Sequence, residues 1–258
     1  MFMTYKNCKI HYTSQGEGET LVLLHGFLET LNMWDDFVDD ISENRHVLCI
    51  DLLGHGKTES IGYIHSMEQM AEAVFAVLKH LNIKEISCVG HSMGGYVALA
   101  LAEQQPDLVK DLCLMNSTFE ADNHERKVLR ARAAQMATSN YENLVRMSFT
   151  NLFAETSRKL FENNFKAALK VALNTTVQGF IAGHKGMAIR PNRLNAFKSI
   201  TGKKAIVIGE KDWIVDKELL IEKTKDTATE IAVFSEGHMS HIENKSELSY
   251  FLLRFSEK

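Results

Sequence analysis

The feature that most constrains this chain is a junction. The apolar run Ile86–Val89 leads straight into Gly90-His91-Ser92-Met93-Gly94-Gly95, and an apolar segment then continues to about Gln105, where Pro106 stops it. An unbroken apolar run cut off by glycine reads as a strand buried on both faces. The segment beyond reads as a helix ending ahead of proline, which disfavours helical backbone in the residue before it. A chain that passes from buried strand to buried helix so quickly must turn sharply. Glycine on each side of the turn lets neighbouring backbone approach without a Cβ clash. Strand, tight turn and helix in that order belong to a parallel sheet covered by helices.

The alternation recurs along the chain. Lys9–Thr13 alternates as a strand does, and Thr20–Leu24, Val47–Ile50, Leu112–Met115, Ala205–Ile208 and Ile231–Phe234 read as further strands. Met33–Ile41, Ser66 to about Leu81, and Leu248–Phe255 have helical spacing, and Ser66 with Gln69 predicts a capping box. The expectation is an α/β fold with a mostly parallel sheet and helices on both faces. The stretch from Phe119 to about Lys185 breaks the pattern. It has no strand-like run and reads as helices, for example Glu125–Met136, Glu142–Phe153 and Ser157–Leu173. Its charge differs too. The chain carries a formal net charge of −4, yet Thr118–Gly186 holds 10 basic against 6 acidic residues and the remainder 19 against 27. A basic helical insertion in an acidic core suits a lid over an active site. The predicted organisation is a core of residues 1–117 and 187–258 with a helical cap at 118–186.

Composition excludes several classes. With 45% hydrophobic and 24% charged residues the chain is globular rather than disordered. Mild acidity is wrong for a dedicated nucleic-acid binder. The apolar runs fall well short of the ~20 residues that span a bilayer. The N-terminus has no basic segment followed by an apolar run, as an export signal would. Cys8, Cys49, Cys88 and Cys113 stand singly, with no metal or redox spacing. The expectations are a cytoplasmic location, a small-molecule substrate, no nucleic-acid or membrane partner, no metal and no cofactor, and a monomer or homodimer.

Gly90-His91-Ser92-Met93-Gly94 fits G-x-S-x-G, which presents a serine hydroxyl at the carboxyl end of a sheet, beside a helix N-terminus. A nucleophilic serine needs a base, and the base needs an orienting acid. With the order serine, acid, histidine, the acid follows a late strand. Gly209-Glu210-Lys211-Asp212 lies there, and Asp212 is preferred over Glu210. The base follows the last strand, where Gly237-His238-Met239-Ser240-His241 offers two histidines. His238, after glycine and just before the final helical segment, is preferred over His241. The oxyanion needs two N–H donors. These are assigned to Met93, after the serine, and Phe27, in the loop after Leu21–Leu24.

These motifs together resemble the α/β-hydrolase superfamily over essentially the whole chain. They are His25-Gly26-Phe27, Asp51-Leu52-Leu53-Gly54-His55-Gly56, Gly90 to Gly95, Gly209 to Asp212, and Gly237-His238. The resemblance implies an eight-stranded α/β-hydrolase sheet, a Ser92–Asp212–His238 triad and a cap between the sixth and seventh strands. Two subgroups look close: small carboxylesterases and lactonases, and the menaquinone-pathway lyases. Leu24 to Phe27, Asp51 to Thr58 and Glu125 to Arg132 look like the lyases. Those lyases usually have Tyr and Arg where this chain has His91 and Tyr96. His25, His91, Tyr96 and Arg130 are carried as candidate substrate contacts. The expected function is a cofactor-free serine hydrolase of a small ester or lactone. The alternatives are elimination with the same triad as base, or a non-catalytic small-ligand receptor.

Overall fold

Period-two alternation in Thr20–Leu24 decides how the sheet is covered. Leu21 and Leu23 join one buried apolar cluster, while Val22 and Leu24 join another on the opposite face. A strand that is apolar on both faces must be sandwiched, and this one is fully buried. The structure is a computed structural model that describes residues 1–257. Its strands are β1 (Phe2–Tyr5), β2 (Cys8–Gln15), β3 (Thr20–Leu24), β4 (His46–Ile50), β5 (Ile86–His91), β6 (Val109–Met115), β7 (Lys204–Gly209) and β8 (Thr229–Phe234). They form one sheet in the order β1-β2-β4-β3-β5-β6-β7-β8. The pairs β1–β2 and β2–β4 are antiparallel, and the other pairs are parallel.

The helices of the core are α1 (Asp35–Ser42), α2 (Met67–His80) and α3 (Met93–Gln104), then α8 (Leu194–Lys198), α9 (Lys217–Thr224), α10 (Ser240–Glu243) and α11 (Lys245–Ser256). Residues of α1 and α11 pack against Leu21 and Leu23, and those of α2 and α3 pack against Val22 and Leu24. The capping box forms at the start of α2: Gln69 N–H donates to Ser66 Oγ, and Ser66 N–H to Gln69 Oε1, each at 3.2 Å.

Between β6 and β7 the chain is helical: α4 (His124–Thr150), α5 (Glu155–Leu160), α6 (Glu162–Leu173) and α7 (Val177–Ile189). The two helices expected at Glu125–Met136 and Glu142–Phe153 are the two arms of α4, which breaks at Asn140 (φ −144°, ψ 43°) in the gap between them. One boundary differs from the sequence reading. The single helix expected over Ser157–Leu173 is broken at Phe161 into α5 and α6. The edge strand β1 and the short helices α8, α9 and α10 come without a sequence expectation, and α7 was expected only as part of the helical stretch. The stretch from α4 to α7 builds a third apolar cluster, in which Phe149, Phe153 and Phe180 meet Leu28 and Met239 of the core. No helix among the described residues is long and apolar enough to cross a membrane.

Candidate active site

The carboxyl ends of β5, β7 and β8 carry Ser92, Asp212 and His238. Loops at the carboxyl ends of parallel strands are where this sheet class gathers its chemistry. Ser92 caps α3 with φ 48° and ψ −113°, a conformation strained for any residue but glycine. Two glycines make that turn possible. A Cβ on Gly90 would sit 2.5 Å from the Gly94 carbonyl carbon, and one on Gly94 would collide with the Leu24 carbonyl oxygen.

His238 Nε2 lies 2.9 Å from Ser92 Oγ, and its Nδ1 lies 2.7 Å from Asp212 Oδ2. A carboxylate only accepts, so Nδ1 donates to Asp212 and Nε2 is left to accept the serine proton. Asp212 is 8% exposed, and burial alone would raise its pKa. The facing His238 imidazole, with donors from Asn116 and the Ile214 amide, holds it below the usual carboxylate range instead. The alternatives fall elsewhere. Glu210 accepts from Lys217 Nζ at 2.7 Å. His241, in α10, lies 3.5 Å from Glu29 Oε1.

A cavity of about 250 Å³ opens onto Ser92 and His238. Its apolar wall includes Phe27, Leu28, Leu152 and Trp213, and its polar groups include Tyr96, Arg130 and His184. Phe27 follows β3, and Met93 opens α3 beside Ser92. Three of the four candidate substrate contacts, His91, Tyr96 and Arg130, line this cavity. His25 is a correction. Its ring is fully buried, with Nδ1 on the Gly26 carbonyl at 2.7 Å and Nε2 accepting the Leu52 N–H at 2.9 Å. It ties the loop after β3 to the loop after β4. His91 also spends both ring nitrogens on protein, Nδ1 on Glu29 at 2.6 Å and Nε2 on the His238 carbonyl at 3.0 Å.

Arg130 and Arg190 share one partner. Arg130 Nε pairs with Asp122 Oδ2, and Arg190 Nη1 lies 2.8 Å from Asp122 Oδ1. Two buried or half-buried cations against one carboxylate leave a local charge of +1. Arg190 also stacks over the Tyr96 ring, 3.9 Å from its centroid. Beside this group His184 has neither ring nitrogen hydrogen-bonded, and burial pushes its pKa down to about 3, with Arg130 adding to the effect. A neutral imidazole with a free donor and a free acceptor is thus presented at the cavity wall.

The sequence matches the alpha/beta hydrolase fold family over residues 19–245. The chain belongs to that family. Within the alpha/beta hydrolases, it is 29% identical over 127 residues to the (E)-2-((N-methylformamido)methylene)succinate hydrolase of Acinetobacter baylyi, covering 49% of this chain and 48% of that protein. The match therefore spans about half the length of that relative. A thermophilic esterase from Thermogutta terrifontis superposes with a TM-score of 0.91 at 23% identity, covering 97% of this chain and 95% of that one. The enol-lactonase of Burkholderia xenovorans LB400 gives 0.91 at 20% identity, with 99% of each chain covered. At these identities the likeness speaks for the fold.

Several residues of this alpha/beta hydrolase site carry no sequence signal. Asn116 Nδ2 donates to Asp212 Oδ2 at 3.1 Å and to the Gly237 carbonyl at 3.3 Å, while its Oδ1 accepts from Ser240 Oγ at 2.7 Å. Ser117 Oγ donates to the Ser92 carbonyl at 2.7 Å. Glu243 accepts the amides of Ala154 and Met239, each at 2.9 Å. Glu29, besides its contact to His91, accepts the Gly26 N–H at 2.7 Å. For Glu29 one weak signal was available: an acid within the loop that follows His25-Gly26.

Proposed function

We propose that this chain is a serine hydrolase of small carboxylic esters or lactones, working through an acyl-enzyme on Ser92. The observation that carries the reading is the continuous hydrogen-bond chain Ser92–His238–Asp212, at 2.9 and 2.7 Å, opening onto an apolar cavity. His238 Nε2 takes the Ser92 proton as Oγ attacks the carbonyl carbon. The amides of Phe27 and Met93 hold the tetrahedral oxyanion. His238 returns the proton to the leaving alkoxide, which departs as alcohol; in a lactone it stays tethered. Water then attacks the acyl-enzyme, giving its proton to His238, and the free acid leaves as Ser92 is reprotonated. Asp212 keeps Nδ1 protonated and stabilises the imidazolium formed at each step.

The helical stretch 118–186 acts as the cap of this site, contributing Arg130, Leu152 and His184 to the cavity. The excess cation of Arg130, Arg190 and Asp122, with the unpartnered His184, favours a substrate that carries a carboxylate at the end away from the scissile bond. The name of the Acinetobacter relative, a hydrolase of a succinate derivative, supports the same reading.

The experiment is hydrolysis of p-nitrophenyl acetate by wild type and Ser92→Ala, followed by a comparison of monomethyl glutarate with methyl pentanoate. The variant is expected to lose at least about 1,000-fold in kcat, and the acidic ester is expected to have the higher kcat/KM. Unchanged turnover in Ser92→Ala overturns the mechanism. Preference for the neutral ester overturns the substrate class.

A further inference from the structure

A second carboxylate–histidine pair lies directly behind the first, and nothing in the proposed chemistry uses it. Glu29 and His91 are 5% and 1% exposed. His91 Nδ1 lies 2.6 Å from Glu29 Oε2, and its Nε2 lies 3.0 Å from the His238 main-chain oxygen. A carboxylate oxygen and a carbonyl oxygen both only accept. Both ring nitrogens must therefore donate, and His91 is an imidazolium. Burial opposes that charge, but the Glu29 carboxylate outweighs it and raises the His91 pKa above the ordinary value of 6.5. Glu29, despite burial, is drawn down to about 2 by His91 and by the histidines near it.

The same Glu29 oxygen accepts the Gly26 N–H at 2.7 Å. Gly26 precedes Phe27, the proposed oxyanion donor, and His91 precedes Ser92. One ion pair thus touches the loop of the oxyanion donor, the nucleophile turn and the loop of the base. The fit is close: a Cβ on Gly26 would sit 2.7 Å from His91 Nδ1 and collide with Glu29. His241 belongs to the neighbourhood. Its donor atom, with those of Glu29 and His91, lies within 4.8 Å of the others, the spacing of a cation site. A cation there would have to displace the proton between His91 and Glu29, so the cluster is read as an ion pair.

We propose that Glu29 and His91 are positioning residues: the Glu29–His91 ion pair holds the main chain of His238 in register with Ser92 and with the Phe27 amide. This rests on the serine-hydrolase reading above. Loss of the imidazolium charge takes the proton from Nε2, because Nδ1–H stays on the Glu29 carboxylate; the bare Nε2 then faces the His238 carbonyl oxygen at 3.0 Å, acceptor against acceptor, and the grip on that main chain is lost. The groups that face His91 are Glu29 and His25 from the loop after β3, Asp212 after β7, and His238 and His241 after β8.

Three measurements test the proposal. Long-range proton–nitrogen NMR of the ¹⁵N-labelled protein at neutral pH is expected to show one histidine with both ring nitrogens protonated, its signals lost in His91→Phe. A neutral His91 tautomer overturns the proposal without any reference to turnover. In Glu29→Gln, whose amide oxygen still accepts from Gly26, and in His91→Phe, kcat is expected to fall about 10- to 100-fold, the scale of a small misplacement of reacting groups. KM should stay within about twofold. The wild-type kcat profile is expected to fall at a pH above the ordinary imidazole range. That limb should be absent in Glu29→Gln, where no carboxylate holds the His91 charge and the imidazole is neutral across the range. Thermal melts identify a variant that fails to fold, in which case Glu29→Gln and the NMR signature decide. Unchanged kcat and profile in folded Glu29→Gln, with Ser92→Ala inactive, overturns this inference alone. Active Ser92→Ala with a doubly protonated His91 overturns the hydrolase reading alone.

Discussion

Asn116 sits at the end of β6 with φ 45°, in the left-handed region that asparagine tolerates better than most residues. From there its side chain binds Asp212, the Gly237 carbonyl next to His238, and Ser240 at the start of α10. Asn116→Ala leaves Asp212 Oδ2 with His238 as its remaining side-chain partner and strips Ser240 of its acceptor. Unsatisfied buried polar groups cost about 1–3 kcal/mol each. The variant is expected to lower kcat roughly tenfold with little change in KM, measured by ester hydrolysis alongside a melting curve; kcat equal to wild type would contradict this role. Ser92 was legible because glycine spacing and a strand–helix junction announce it. Asn116 was not, because its partners lie 96, 121 and 124 residues away and no local pattern connects them. The two histidines of the last loop show the same limit. Residue types allowed either His238 or His241, and only the path of the backbone after β8 puts one imidazole on Ser92 and the other beside Glu29.

Among elements, those that press an apolar face on the sheet were the readable ones. β3 to β8, α2, α3 and α11 all follow from short unbroken apolar runs or helical spacing, because a sheet covered on both faces needs strands apolar on both sides and helices apolar on one. The helices between β6 and β7 pack chiefly on one another. The break at Asn140 falls in the gap left between two expected helices, at a residue type that often ends them, whereas Phe161 is not a residue that ends a helix by itself. The glycines of α7 lower its helical propensity, yet Gly179 and Gly186 meet the backbone of Gly54 and His65, where a side chain has no room. β1 is a short edge strand whose exposure alternates in the fold, but Phe2-Met3-Thr4-Tyr5 does not alternate apolar with polar residues. The α3–β3 contact gives the sharpest test at this scale. Gly94→Ala places a methyl against the Leu24 and His25 carbonyl oxygens. Overpacking of this kind costs about 1–3 kcal/mol. That corresponds to a Tm lower by roughly 2–12 °C, with activity reduced because the turn at Ser92 must shift. A Tm and activity equal to wild type would contradict the close approach.

For the molecule as a whole, pH is the variable that the buried histidines make decisive. Burial drives His55 and His184 down to about 3, and His65 and His241 down to about 4. Each is neutral in the fold and takes up a proton on unfolding below its ordinary value of 6.5, so stability falls as pH drops from there toward 4. The loss is about 1.4 kcal/mol per pH unit for each such group. The Glu29–His91 pair behaves differently. The Glu29 contribution is full above 4.5 and lost as pH falls toward 2, while that of His91 is full below 6.5 and lost as pH rises through its raised value. Thermal melts from pH 8 to 4 are expected to show Tm dropping steeply below about 6; a level Tm between 7 and 5 would refute the burial of neutral histidines. One connection reaches across the molecule. The His238 amide donates to the Leu152 carbonyl at 3.1 Å, and Trp213 Nε1, next to the acid, donates to the Asn151 carbonyl at 2.7 Å. The stretch that follows α4 is thereby stitched to the loops that carry His238 and Asp212. The two bonds that seat this stretch on the sheet are also bonds of the loops that carry His238 and Asp212, so one pair of contacts serves both the packing of the insertion and the placement of those side chains.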